Sequence, residues 1–278
     1  MSARFLTVVL ERAFNMRDGF GREIDYMRIS VIDSCNLNCY YCNPCDNNEH
    51  CHALNILSVK EVLCIVRAAT RLGIKHFRLT GGEPLLHPQL DEMVLQIKKI
   101  PGVSSVSLTT NAVLLAQHAK WLKEAGIDSI NVSLDTIDAS EYERITKKPL
   151  LEEVKHGINA AIECGIRVKI NVVLTPQTDV VALTRYVAKK GTDIRFIEMM
   201  PVGEGHTNGV EPYKKVIGTL SKLYGEPCRI NTEKTKEINS GNDKRKIPDN
   251  GPAEYYIFPE LGIRVGLIQA IHGKFCDT

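Results

Sequence analysis

Short runs of alternating apolar and polar residues recur between Tyr26 and Pro201, separated by longer runs with apolar residues three and four apart. The alternation predicts strands over Met27–Ile32, His76–Thr80, Ser105–Thr110, Ser129–Asp135, Arg167–Leu174 and Asp193–Met199. The helical spacing predicts helices over Ser58–Leu72, Pro88–Ile100, Leu114–Ala125, Leu151–Cys164 and Asp179–Lys190. Ser58 with Glu61 three residues on reads as a capping box, Pro88 suits a first helical turn, and Gly126, Gly165 and Gly191 suit C-caps. About six βα units in succession imply parallel strands with right-handed crossovers.

The strands carry a polar face. His76, Arg78 and Thr80 alternate with Phe77 and Leu79, and Asn131, Ser133 and Asp135 with Ile130, Val132 and Leu134; Lys169 and Asn171 behave likewise. Parallel strands covered on both faces are apolar throughout, and a closed eight-stranded barrel fills its lumen with branched apolar side chains. The pattern therefore predicts an α/β fold, a partial (β/α)6 TIM-type barrel, open, with a polar interior that takes an anionic ligand; a doubly wound sheet is the alternative. After Pro201 come a Gly-rich turn, a helix near Pro212–Tyr224, a polar loop over Asn231–Gly251 and strand-like pieces at Ala253–Phe258 and Gly262–Gln269. Residues 1–205 are read as the barrel core and 206–278 as an incomplete α+β extension.

Composition changes this picture little. The 278 residues are 44% hydrophobic and 24% charged with net charge +2, which suits a globular chain and gives no electrostatic footprint for nucleic acid. No apolar run is long enough to span a membrane. Nine cysteines, five of them between Cys35 and Cys51, argue for a reducing, cytoplasmic compartment rather than a disulfide scaffold. Phe5–Leu10 is too short for a signal peptide, while Arg4 and Arg12 beside it leave an organelle address open.

The chemistry centres on Cys35-Asn-Leu-Asn-Cys39-Tyr-Tyr-Cys42. Three thiolates can hold three irons of a 4Fe–4S cluster and leave the fourth open to a cofactor. A structural zinc site, or a ferredoxin-like run through Cys39, Cys42 and Cys45, are the alternatives. Cys35 follows the first strand, at the end where barrel enzymes keep their active sites. The second strand ends in Gly81-Gly82-Glu83-Pro84, whose glycines allow close backbone approach and whose carboxylate can accept from an ammonium group. Arg28, Arg78 and Lys169 sit on the polar faces of three separate strands, a convergence that suits phosphate. Cys45, His50, Cys51 and His52 read as mobile-loop side chains, with an extra metal site as the alternative, and Cys64 and Cys164 as core residues.

Together these residues resemble the radical S-adenosylmethionine superfamily, whose cluster motif is C-x3-C-x2-C with an aromatic before the last cysteine, here Tyr41. More locally, Met27-Arg-Ile-Ser-Val31, Phe77–Pro84, Leu108-Thr-Thr-Asn111, Ile130–Asp135, Val168–Val173, Ile194–Glu198 and Gly251–Tyr256 resemble the molybdenum cofactor biosynthesis protein A family, the GTP 3′,8-cyclases. The resemblance implies that Cys35, Cys39 and Cys42 ligate a 4Fe–4S cluster. It implies that S-adenosylmethionine binds the open iron, lined by Tyr41, Gly81, Gly82, Glu83, Ser133 and Met200. A 5′-deoxyadenosyl radical would then convert GTP to 3′,8-cyclo-7,8-dihydro-GTP. Arg28, Arg78, Thr109, Lys169 and Arg195 would hold the triphosphate. Implied partners are GTP and an electron donor such as ferredoxin or flavodoxin; a homodimer is left open.

Three departures qualify the resemblance. Ser34 stands where the family has arginine, Ala112 where it has glycine, and Cys276 is the lone cysteine of what the family uses as a second cluster site. The expectation is a C-terminally truncated chain with one cluster, which cleaves S-adenosylmethionine slowly without efficient GTP cyclisation. Two rivals stand beside it: a radical enzyme with a different anionic substrate, and a non-enzymatic iron–sulfur electron-transfer protein.

Overall fold

Leu108 between Ser107 and Thr109, and Phe77 and Leu79 between His76, Arg78 and Thr80, are fully buried, so one face of each strand drives packing. The computed structural model describes residues 16–19, 21–42, 55–199, 212–230 and 253–269. They form nine strands: β1 (Tyr26–Ser30), β2 (His76–Thr80), β3 (Ser105–Thr110), β4 (Ser129–Ser133), β5 (Arg167–Leu174), β6 (Asp193–Glu198), β7 (Cys228–Ile230), β8 (Glu254–Ile257) and β9 (Arg264–Ile268). The helices are α1 (Val59–Arg71), α2 (Leu90–Lys98), α3 (Leu115–Glu124), α4 (Ala139–Thr146), α5 (Leu151–Glu163), α6 (Val180–Lys189) and α7 (Pro212–Tyr224). Among the described residues no helix is long and apolar enough to cross a membrane.

The chain divides into two compact units. The first comprises Met1–Asn36, Asn47–Asn131 and Glu152–Arg167. In it β1 pairs parallel with β2, and β2 with β3. The second comprises Leu37–Asp46, Val132–Leu151 and Val168–Thr278. There β5 pairs parallel with β6, β6 parallel with β9, β9 antiparallel with β8, and β8 antiparallel with β7. The pairing of β9 with β6 joins two strands far apart in the chain.

The capping box of α1 is present: Ser58 Oγ accepts from the Glu61 N–H, and the Glu61 side chain accepts from the Ser58 N–H. Two local readings need correction. Pro88 does not open a helix; α2 starts at Leu90, after Gln89, which supplies no side-chain cap. The helix α4 lies in a stretch read without one, although Asp138 caps it by accepting from the Glu141 N–H at 2.8 Å.

Ala112, buried just past β3, has φ 66°, the left-handed conformation that explains a family preference for glycine there. Its carbonyl oxygen lies 2.4 Å from where a Cβ on Gly157 of α5 would stand. Gly157→Ala therefore forces α5 off the turn after β3, and a loss of about 1–3 kcal/mol is expected in chemical denaturation. A variant as stable as the wild type would show that the contact yields freely.

Candidate functional site

In the first unit, pairing between β1 and β2 continues past both strands. Val31 N–H donates to Thr80 O at 2.9 Å, Gly82 N–H to Ile32 O at 2.7 Å, and Glu83 N–H to Ser34 O at 2.7 Å. Cys35 follows, exposed, with Asn111 Nδ2 3.8 Å from its sulfur and 2.7 Å from Asn36 Oδ1. A Cβ on Gly81 would lie 2.3 Å from Ile32 O; one on Gly82 would lie 2.2 Å from Ser34 O. The glycines thus admit the approach to Cys35 itself, a closer need than the ligand approach inferred from sequence.

Glu83 is 1% exposed. Its Oε1 accepts from Thr110 Oγ1 at 2.6 Å and Leu85 N–H at 3.0 Å, and its Oε2 from Asn111 N–H at 2.7 Å. Burial pushes its carboxyl up from the ordinary range, and these three bonds pull against that rise. The carboxylate ties the end of β2 to the end of β3. A carboxylate oxygen takes about two donors, so Oε2 keeps capacity for one more.

Cys39 and Cys42 belong to the second unit. Cys42 N–H donates to Cys39 O at 3.0 Å, closing a turn around Tyr40 and Tyr41. The segment sits on the C-terminus of α4: Asn38 N–H donates to Thr146 O at 3.0 Å and Tyr40 N–H to Ile145 O at 3.1 Å. Those carbonyls lack partners within a helix. The Arg144 guanidinium lies 5.5 Å over the Tyr40 ring. The Tyr41 hydroxyl donates to Asp135 Oδ2, and Val173 N–H donates to Asp135 Oδ1 at 2.7 Å. Burial pushes Asp135 up to about 6 against both bonds, and burial first, then Asp135, raises the Tyr41 phenol above its usual range.

None of the described cysteines is in a disulfide. No three described His, Cys, Asp or Glu residues form a cage for a single metal ion. A cubane spreads its thiolates over separate irons, so three thiols on one short segment fit a cluster with an open iron by their chemistry. Cys64, expected in the core, is exposed on α1, and Cys164 is half-buried. Met200, Cys276, Cys45, His50, Cys51 and His52 lie outside the described residues.

The cations fall into two groups. On β1 and β2, Arg28 and Arg78 are register partners. Both guanidiniums stand over the Tyr26 ring, 6.0 and 5.4 Å from its centre, and Arg28 Nε donates to Tyr26 Oη at 3.1 Å. Arg78 Nε also donates to Ser107 Oγ at 3.0 Å, and Thr109 is half-buried on the same strand, β3. In the second unit Lys169 and Arg195 are buried, and Asp193 is the register partner of Lys169. Arg195 Nε donates to Tyr255 Oη at 2.6 Å. A Cβ on Gly266 would lie 2.9 Å from the Tyr255 ring and 3.0 Å from Arg195 Cγ. Arg264 binds Asp193 through two hydrogen bonds, one of 3.1 Å. Ser133 is exposed at the end of β4. Tyr26, Asp135, Tyr255, Gly266 and Arg264 were given no site role from sequence; the signals were Asp135 on the polar face of its strand and Gly-Pro-Ala-Glu-Tyr-Tyr256, which holds Tyr255.

Residues 29–183 match the Radical SAM superfamily. A GTP 3′,8-cyclase of Clostridium perfringens is 36% identical over 265 residues, covering 94% of this chain and 78% of that protein. One from Pelotomaculum thermopropionicum is 37% identical over 268 residues, with the same coverage. This chain belongs to the GTP 3′,8-cyclase family. Among solved structures, SuiB of Streptococcus suis bound to S-adenosylmethionine is similar with TM-score 0.58 and 17% identity, covering 79% of this chain. The chain spans 51% of SuiB's length. Methylornithine synthase is similar with TM-score 0.58 and 16% identity, covering 72% of this chain and 62% of that one. These likenesses are of fold, and bear out the partial (β/α) barrel against the doubly wound sheet.

For this cyclase-family chain, Glu83→Ala strands three donors, Thr110 and Asn111 at the end of β3 and Leu85 after β2. A loss of about 2–4 kcal/mol is expected in denaturant unfolding, with Glu83→Gln recovering much of it. Equal stability of wild type and Glu83→Ala would remove Glu83 as a structural tie.

Proposed function

We propose that the chain is a GTP 3′,8-cyclase of molybdenum cofactor biosynthesis. Its cofactors are S-adenosylmethionine and a 4Fe–4S cluster held by Cys35, Cys39 and Cys42, with reduction by a ferredoxin- or flavodoxin-type donor. When bound, that pair supplies a 5′-deoxyadenosyl radical, the species that starts conversion of GTP to 3′,8-cyclo-7,8-dihydro-GTP. The chain's own work is to hold, orient and shield. The family resemblance assigns Tyr41, Gly82, Ser133 and Met200 to S-adenosylmethionine, and Glu83 fixes the backbone beside Gly81.

The observation that carries the substrate is the pairing of Arg28 with Arg78. Like charges directly opposite on neighbouring strands repel, and a bound polyanion relieves that repulsion. Tyr26 beneath both guanidiniums keeps them forward, ready for bidentate contact with phosphate oxygens. The family resemblance also assigns Lys169 and Arg195 of the second unit to the triphosphate; both are buried, where a charge interacts more strongly than at the surface. Thr109 contributes a hydroxyl.

After anaerobic reconstitution, the wild-type chain with S-adenosylmethionine, reductant and GTP is expected to release 5′-deoxyadenosine, read by mass spectrometry. Cys35→Ala abolishes the 5′-deoxyadenosine, and its persistence would sink the cluster assignment. Arg28→Ala and Arg78→Ala each weaken GTP binding roughly 10- to 100-fold in calorimetry, as loss of a charged hydrogen bond implies. Unchanged GTP affinity in both variants would remove the triphosphate from this face and favour a different substrate.

A further inference from the structure

The segment carrying Cys39 and Cys42 is held by groups that come from elsewhere in the second unit. Two amides of the segment, Asn38 and Tyr40, end on the last carbonyls of α4. Asp135, just past the end of β4 after Leu134, is 8% exposed and spends one oxygen on the backbone of β5 at Val173 and the other on the Tyr41 hydroxyl. It thus touches both the cysteine segment and the neighbouring strand. A buried carboxylate is costly unless its oxygens are satisfied, and both donors to Asp135 are fixed by the fold. Removing either would leave it under-satisfied, so the interaction constrains Tyr41 as strongly as it constrains Asp135.

We propose that Asp135 is a positioning residue for the cysteine segment, fixing the Cys39–Cys42 turn through the Tyr41 hydroxyl before any cluster is present. It acts through Tyr41 and the strand end at Val173, without touching cofactor or substrate. Its use in cluster assembly rests on the assignment of Cys35, Cys39 and Cys42 as ligands; the shaping of the turn does not. A turn already in shape presents two thiolates without paying for ordering at the moment of assembly.

The experiment compares wild type with Asp135→Ala, Asp135→Asn and Tyr41→Phe. In the apo chain, amide hydrogen exchange at Tyr40–Cys42 is expected to quicken about tenfold or more in Asp135→Ala, while β2 and β3 keep wild-type protection. Tyr41→Phe, which deletes one hydroxyl and serves if the alanine variant misfolds, should reproduce the change at these residues alone. Asp135→Asn should restore slow exchange, because an amide oxygen still accepts from Val173 and the amide nitrogen still meets the Tyr41 oxygen. After reconstitution, iron loss to a chelator should be about tenfold faster in Asp135→Ala and Tyr41→Phe than in wild type or Asp135→Asn. The double variant should be no worse than Asp135→Ala, since the two residues share one interaction. Exchange at Tyr40–Cys42 unchanged in both Asp135→Ala and Tyr41→Phe would overturn the proposal, whatever the iron content. A wild type that takes up no iron would overturn the ligand assignment and its use in assembly, leaving the exchange result to decide the turn.

Discussion

The backbone pairing that runs past the ends of β1 and β2 governs everything built on this edge. Ile32 and Ser34 accept hydrogen bonds from Gly82 and Glu83, and only residues without a Cβ fit at 81 and 82. That pairing fixes the exit direction of the chain at Cys35. It also delivers Glu83 to its buried place, from which it grips Thr110 and Asn111. Asn111 in turn lies against Asn36 and Cys35. A short closed circuit of hydrogen bonds thus joins three strand ends, and disturbing any member is felt at the first cysteine.

Charge is arranged on a different logic in the two units. On β1 and β2 the guanidiniums of Arg28 and Arg78 repel across a register pair and share one aromatic ring, an arrangement suited to an incoming anion. Asp193 and Arg264 instead neutralise one another through two hydrogen bonds in a buried setting, as isolated buried charges must. Gly266 leaves the room in which Arg195 and Tyr255 meet. Strands β8 and β9 therefore supply part of the polar interior alongside β5 and β6.

Much of this was legible in the chain. The bounds of β2, β3 and β5 follow the alternation residue for residue, because the apolar residues of each are buried and recur along its length. The capping box at Ser58 is local and reads directly. The helix α4 escaped because its eight residues lie between longer patterns, although Asp138 and Glu141 carried the signal. The parallel pairing of β9 with β6 leaves no local trace, since neither strand's pattern names its partner. Glu83 stands out in the sequence as a candidate site residue, yet its bonds to Thr110 and Asn111 depend on where β3 ends in space. The bond from Tyr41 to Asp135 spans 94 positions and could be seen only once the chain was folded.

The late arrival of β9 has a consequence for how this chain is made. Strand β6 ends at Glu198, and the strand that covers its free edge begins at Arg264. At ~5–20 residues per second, the ribosome leaves that edge unpaired for several seconds after β6 has emerged. An open parallel edge is a template for other chains. Asp193 and Arg195, both on β6, are deprived of Arg264 and Tyr255 over the same interval, so the nascent edge carries charges of both signs. The finished fold buries these charges, and charge on an open edge discourages mispairing.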